Sequence, residues 1–197
     1  DISGDRKFSD TVAYGGWPLD DHFPAGFFHI GEPNTNYETP APYQIPYRAL
    51  YSKNVENLFF AGRNISVTHT ALSTTRVMAT CGLLGMAVGT AAAIAAQNSV
   101  TPHGVYKNYI KELQERLMQQ DCFLPGFVRN ISDECKNAAK DKRLCDGQDR
   151  VHPIYGELSC GAEVPCGSAV SYEFEKPVKI GAIHIVFDSD LSRDTLN

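Results

Sequence analysis

Two histidines in this chain have neighbours suited to moving a proton near neutral pH. His22 closes the acidic run Asp20-Asp21-His22, and His69 lies within Thr68-His69-Thr70. Imidazole titrates close to neutrality, and a carboxylate such as Asp21 can hold a ring in one tautomer, so both are candidate general bases. Arg48 and Arg76 offer fixed positive charge to a carboxylate or a phosphate. Tyr47, next to Arg48, offers a ring that stacks on a planar group or a sugar. His103, His152 and His184 fall in a cap, a linker and a strand and read as structural. Six cysteines occur with no CxxC pair and no Cys/His zinc spacing, so no metal site is expected.

The stretch from Asn57 to Gln97 supplies the frame for these groups. Asn57-Leu58-Phe59-Phe60-Ala61 is an apolar run that reads as a buried strand, and Gly62-Arg63-Asn64 breaks it. Ser73-Thr74-Thr75-Arg76 then leads into a long Ala- and Gly-rich helix from about Thr75 to Gln97. A strand, a glycine break and a helix with small residues are the parts of a nucleotide-binding crossover. Glycine lets the backbone turn beside a ligand, and a helix start presents unpaired N–H groups to an anion or a carbonyl oxygen. No charged residue lies between Val77 and Ala96, a length that would span a bilayer. Its Ala and Gly content makes transfer into lipid weakly favourable, so it reads as a core helix. Gly82, Gly85 and Gly89 share a face on which a neighbouring backbone would approach closely. Val77, Cys81, Leu84, Val88, Ala91 and Ala95 form the apolar stripe beside them.

The rest of the chain falls into three parts. Residues 1–50 are rich in Gly, Pro, Tyr, Asp and Asn, with a short strand expected at Thr11-Val12-Ala13-Tyr14, an ordered loop at 17–24 and an extended run over 40–48. Thr101-Pro102 starts an amphipathic helix ending near Gln120, with Tyr106, Tyr109, Ile110, Leu113 and Leu117 on its apolar face. Residues 126–150 read as a linker. From Val151 the period changes: Val170, Tyr172 and Phe174 alternate with polar residues, and a second strand follows from Val178 to Phe187. The expected organisation is a first domain over 1–125, the linker, and a partial β-sandwich over 151–197. The net charge of -5 and pI near 5.6 provide no basic field for nucleic acid or anionic lipid. The spread of the cysteines favours reduced thiols and leans towards a cytoplasmic setting without fixing a compartment; a Cys160–Cys166 disulfide stays open. Asp1 in place of an initiator Met, and strands that stop at Leu196-Asn197, give the expectation of a piece of a longer protein.

The segment Glu56-Asn57-Leu58-Phe59-Phe60-Ala61-Gly62-Arg63-Asn64 resembles the C-terminal FAD-binding segment of two-dinucleotide-binding-fold flavoproteins. More closely, Ile45-Pro46-Tyr47-Arg48, Ala71-Leu72-Ser73-Thr74-Thr75-Arg76-Val77-Met78 and Gly85-Met86-Ala87-Val88-Gly89 together resemble a bacterial family of FAD-dependent oxidoreductases, some of whose members carry the name xanthan lyase. The resemblance covers about residues 10–125. It implies an α/β fold (α+β as a fragment): the C-terminal part of a Rossmann-like FAD-binding domain, followed by the start of a β-sandwich. It implies FAD as cofactor, with Ala61, Gly62, Arg63 and Asn64 near the ribityl chain and pyrophosphate. Arg63 stands where the wider group has an acidic residue, and an arginine there would pair with pyrophosphate instead. Thr74, Thr75, Arg76, Val77 and Met78 correspond to the helix start whose N–H groups face the pyrimidine oxygen of the flavin.

On this reading His69 and His22 are the candidate catalytic bases, and Arg48 and Tyr47 bind substrate. The substrate would be a small molecule, with carbohydrate as one candidate class. The N-terminal GxGxxG of such enzymes is missing, so the expected partner is an N-terminal FAD-binding half of the same protein, and the fragment alone is expected to be inactive. The rival expectation is a non-catalytic module that binds carbohydrate or protein through the C-terminal sandwich.

Overall fold

An acid at the mouth of an apolar run begins the first strand. The computed structural model describes Ile2 and residues 6–39, 42–150 and 161–187, and it divides the chain into two units, Asp1–Phe127 and Val128–Asn197. In the first unit, β1 (Thr11–Gly15) pairs antiparallel with β4 (Tyr43–Pro46), with a bulge between Thr11 and Ala13. The carbonyls at the bulge need another partner, since an irregular ladder leaves them unpaired. Gln114 provides it by donating to Ser9 O and Thr11 O, 3.0 Å each. Gly15 has to be glycine because the Tyr43 phenol lies across it, where a Cβ would overlap the ring. A second antiparallel pair, β2 (Leu19–His22) with β3 (Asn34–Tyr37), occupies what reads from sequence as a loop.

Four α-helices follow in the described part of the first unit. They are α1 (His69–Thr75), α2 (Met78–Asn98), α3 (Pro102–Asn108) and α4 (Ile110–Gln119). Val12, Tyr43 and Ile45 from the sheet meet Leu84, Ala87, Ala91 and Ile94 of α2, Val105 of α3, and Leu113 and Leu117 of α4 in one core. Thr101 caps α3 as expected: its hydroxyl accepts from Gly104 N at 3.2 Å, with Pro102 in the first turn. Thr101→Ala should cost about 1 kcal/mol, read as a lower urea midpoint at unchanged slope. The single expected helix over 101–120 bends at Tyr109, although Tyr109 N and Leu113 N keep their i–4 partners.

Several expectations are corrected here. The long helix begins at Met78, because Thr68 caps a separate short helix at His69 and Val77 is extended. Helix α2 is long and apolar enough to cross a membrane by length and composition. Its buried stripe, Thr80, Leu84, Ala87, Ala91, Ile94 and Ala95, is packed inside the first unit. Gly82, Gly85 and Gly89 lie on the opposite, exposed face, and a Cβ on any of them would meet nothing within 4 Å. The apolar run 57–61 forms a single bridge, Phe59 to Tyr51, in place of a strand. Among the described residues no parallel strand pair occurs, so the mixture of helix and strand is as expected while the crossover sheet is not seen.

In the second unit Ser132 caps α5 (Asp133–Ala138), and a 3-10 turn follows at Lys142–Cys145. Arg129 and Asp149 form a largely buried two-point ion pair, 2.7 Å on each arm. Tyr172 bridges to Ala139, and Glu173 N donates to Ala138 O at 2.9 Å. Residues 161–187 contain no strand beyond that bridge, and Ile180, Ile183, Ile185 and Phe187 are exposed. Alternation makes a strand only where a neighbour takes up the ladder, and the run from Val178 to Phe187 has no neighbour among the described residues. The period change at Val151, His152 and the Cys160 end of a Cys160–Cys166 pair lie outside the described residues.

Candidate functional site

Ala61 enters the glycine bend extended, and Gly62 then takes φ +81° at the start of a 3-10 turn, Gly62–Asn64. Only glycine adopts that value without Cβ strain. A Cβ at Gly62 would meet no atom within 4 Å, so the space beside its Cα is open. The bend is anchored on both flanks. Phe60 N donates to Leu50 O at 2.8 Å, Ser66 N donates to Ala49 O at 2.9 Å, and Ile65 is buried in the core. The turn packs against α2. Arg63 and Asn64 are exposed, and neither side chain has a partner among the described residues.

Helix α2 starts with no side-chain cap on Val77, and its first closed turn is Cys81 N to Val77 O. The N–H groups of Met78, Ala79 and Thr80 precede that bond and have no intrahelical partner. The Met78 side chain is 91% exposed. Thr74 and Thr75 do not belong to this start. They close α1, whose own ladder uses their N–H groups. Thr74 is fully buried, donating to Trp17 O at 2.5 Å and sharing a hydrogen bond with the Tyr43 hydroxyl at 2.7 Å. Thr75 donates to Ala71 O. Both side chains hold the fold, and both residues lie in α1 rather than at the start of the long helix.

The protonic groups come together across β2 and α1. His69, Ser73 and Arg76 are spaced i, i+4, i+7, so they share one helix face, and that face meets Asp20-Asp21-His22. Ser73 donates to Asp21 Oδ1 at 2.9 Å. His69 Nε2 lies 3.1 Å from the same oxygen and 3.2 Å from His22 O. A carboxylate and a carbonyl only accept, so in the neutral ring Nε2 carries the proton and Nδ1 the lone pair. His22 Nε2 sits 3.0 Å from Asp20 Oδ2, and Arg76 Nη2 reaches the same oxygen at 3.1 Å. Asn34 donates to the other oxygen. Hydrogen bonds from Asn34 and His22, with Arg76 alongside, hold the Asp20 carboxyl below the usual carboxylate range.

Asp21 therefore serves His69 rather than His22, because strand alternation sends residues 20 and 22 to one face and 21 to the other. Asp20, Ser73 and Asn34 went unnoticed as site residues. The i, i+4, i+7 spacing behind the acidic run was the available signal.

The family model described as FAD dependent oxidoreductase matches residues 1–117. The chain belongs to that family. No curated protein matches the sequence, and no solved structure does. Membership in the FAD dependent oxidoreductases brings a general oxidoreductase role and FAD as the cofactor of the family. The chain's own features suit that cofactor: a glycine bend with open space beside the Gly62 Cα, an unpartnered Arg63, and an uncapped helix start.

The two expected substrate residues separate. Arg48 lines an open groove of about 490 Å³ together with Arg6, Lys7, Phe8 and Ser66. Its guanidinium is clamped from one side by the buried Asp10, Nε to Oδ2 at 2.9 Å and Nη2 to Oδ1 at 3.1 Å. Tyr47 is 0% exposed and does not reach the groove. Its hydroxyl donates to Pro102 O at 2.9 Å, its ring tilts against Tyr51, and burial raises its pKa. In this flavoprotein family member Tyr47 is a core residue.

Proposed function

We propose that this chain forms the substrate-side wall of an FAD-dependent oxidoreductase in which a hydride leaves a substrate carbon. When bound, FAD supplies the acceptor for that hydride. Ala61, Gly62, Arg63 and Asn64 would hold it at the open bend, and the first-turn N–H groups from Met78 onward would face its electron-rich edge. A strand–GxGxxG–helix unit elsewhere in the same protein would hold the adenine end, since residues 1–197 contain no such spacing.

His69 is the proposed base. The observation that carries this is the double anchoring of Nε2 on Asp21 and His22 O, which orients the ring and leaves Nδ1 outside those contacts. Losing a proton to Nδ1 would turn a substrate hydroxyl into the stronger hydride donor. The resulting imidazolium would keep its partner in Asp21. His22, paired with Asp20, is the second candidate. Arg6 and Lys7, beside the Asp10-paired Arg48, leave the groove cationic, which suits a small substrate bearing an anionic group, such as an acidic sugar.

His69→Ala should keep flavin and lower kcat by about 10²–10⁴-fold. The measurement is flavin absorbance per chain alongside turnover of an added polyol or sugar acid. Full turnover in that variant would end the assignment. The rival binding module has no strand platform among residues 161–187.

A further inference from the structure

The second unit brings together two cysteines that sequence spacing does not connect. Cys135 lies within α5 and Cys145 ends the 3-10 turn Lys142–Cys145, and these two elements pack on each other. The Cys145 thiol points at the first of them, with Sγ 3.8 Å from Cys135 O and 3.7 Å from the Tyr172 hydroxyl. Both cysteines are free, Cys145 buried and Cys135 half-buried. We infer that Cys135 and Cys145 are a disulfide-forming pair that staples α5 to the turn after it.

The surroundings agree. Burial first, and then the Cys145 sulfur beside it, hold the Cys135 thiol above its ordinary range. Burial and the same two sulfurs push the Tyr172 hydroxyl up to about 12. The Cys145 sulfur thus lies against both the Cys135 backbone and the Tyr172 phenol. A thiol with a raised pKa is a slow nucleophile, which fits a structural cross-link better than a catalytic one. The described part of the second unit buries little apolar side chain beyond Ala138, Ala139 and Cys145, so a covalent tie would replace packing it lacks.

The oxidant is of the low-molecular-weight disulfide class, such as oxidised glutathione. The half-buried Cys135 attacks first, as its thiolate: one glutathione sulfur bonds to it and the other leaves as a thiol. Cys145 then attacks the Cys135 sulfur, releasing the second glutathione thiol. Two protein S–H bonds are lost, one S–S bond forms, and the glutathione disulfide takes up both electrons and both protons. The pair has no part in the flavin reading and stands without it.

The test is peptide mapping of the full chain equilibrated with oxidised glutathione, alkylated, and cut with trypsin. Lys136, Lys140, Lys142 and Arg143 lie between the two cysteines, so cleavage separates them unless a disulfide joins them. The expected result is one joined peptide pair, lighter by two hydrogens than the separate peptides and released by reductant. Cys145→Ser should leave Cys135 carrying a single glutathione. Alkylation of both residues after oxidation, a separate glutathione on each, or a bond from either to Cys166 would overturn the pairing.

Discussion

The Gly62→Val protein should fold and purify without colour. Valine at φ +81° carries the left-handed penalty, about 1–3 kcal/mol, raised by its β-branch. That is survivable for a domain of ordinary stability. The first carbon of the new side chain has room, because nothing lies within 4 Å of a Cβ at this position. Any cofactor that needs the backbone of the bend to come close is displaced by three added carbons. Flavin content should fall on the order of tenfold or more, each decade corresponding to about 1.4 kcal/mol of lost affinity. The readout is the flavin absorption band relative to protein absorbance in the full-length enzyme. A thermal melt separates a lost site from a lost fold. Gly62→Ala should fall between wild type and Gly62→Val. Full flavin content in the valine variant would show that the bend does not touch the cofactor.

The bend was legible in the sequence because an apolar run ending in Ala-Gly leaves little else for glycine to do. The Thr101-Pro102 cap was legible for a similar reason, since both residues act within one turn. What escaped depended on partners far along the chain. Asp10 and Arg48 are 38 residues apart, and Gln114 reaches the bulge across more than a hundred, distances at which residue types carry no pairing information. The break between α1 and α2 is local and was still misplaced. The threonines and the histidine after Thr68 mask a helix start there, although its hydroxyl accepts from Ala71 N at 3.3 Å. The glycines of α2 suggested close packing, yet a glycine face is silent about which side of a helix meets the core. Apolar runs at 57–61 and 178–187 suggested strands, and their composition holds no record of whether a neighbouring strand is there to bond them.

Tyr47 gives the second large effect, and it separates a packing role from a substrate role. Tyr47→Ala should destabilise the first unit by about 3–5 kcal/mol, the range for removing a large buried ring and leaving a cavity. The side chain is fully buried, with Tyr51 at 5.2 Å and Phe59 at 6.4 Å between ring centroids, so little can collapse into the space. A loss of that size is a large share of a domain's stability and should appear as a much lower urea midpoint and poor soluble yield. Tyr47→Phe keeps the ring and removes only the bond to Pro102 O, which should cost about 1 kcal/mol. The phenylalanine variant carries the decision. With the hydroxyl spent on Pro102 inside the core, KM and kcat should match the wild type while the urea midpoint shifts slightly. A substrate-binding tyrosine would give the reverse, an unchanged midpoint and a raised KM, because its hydroxyl would face the groove that Arg48 lines.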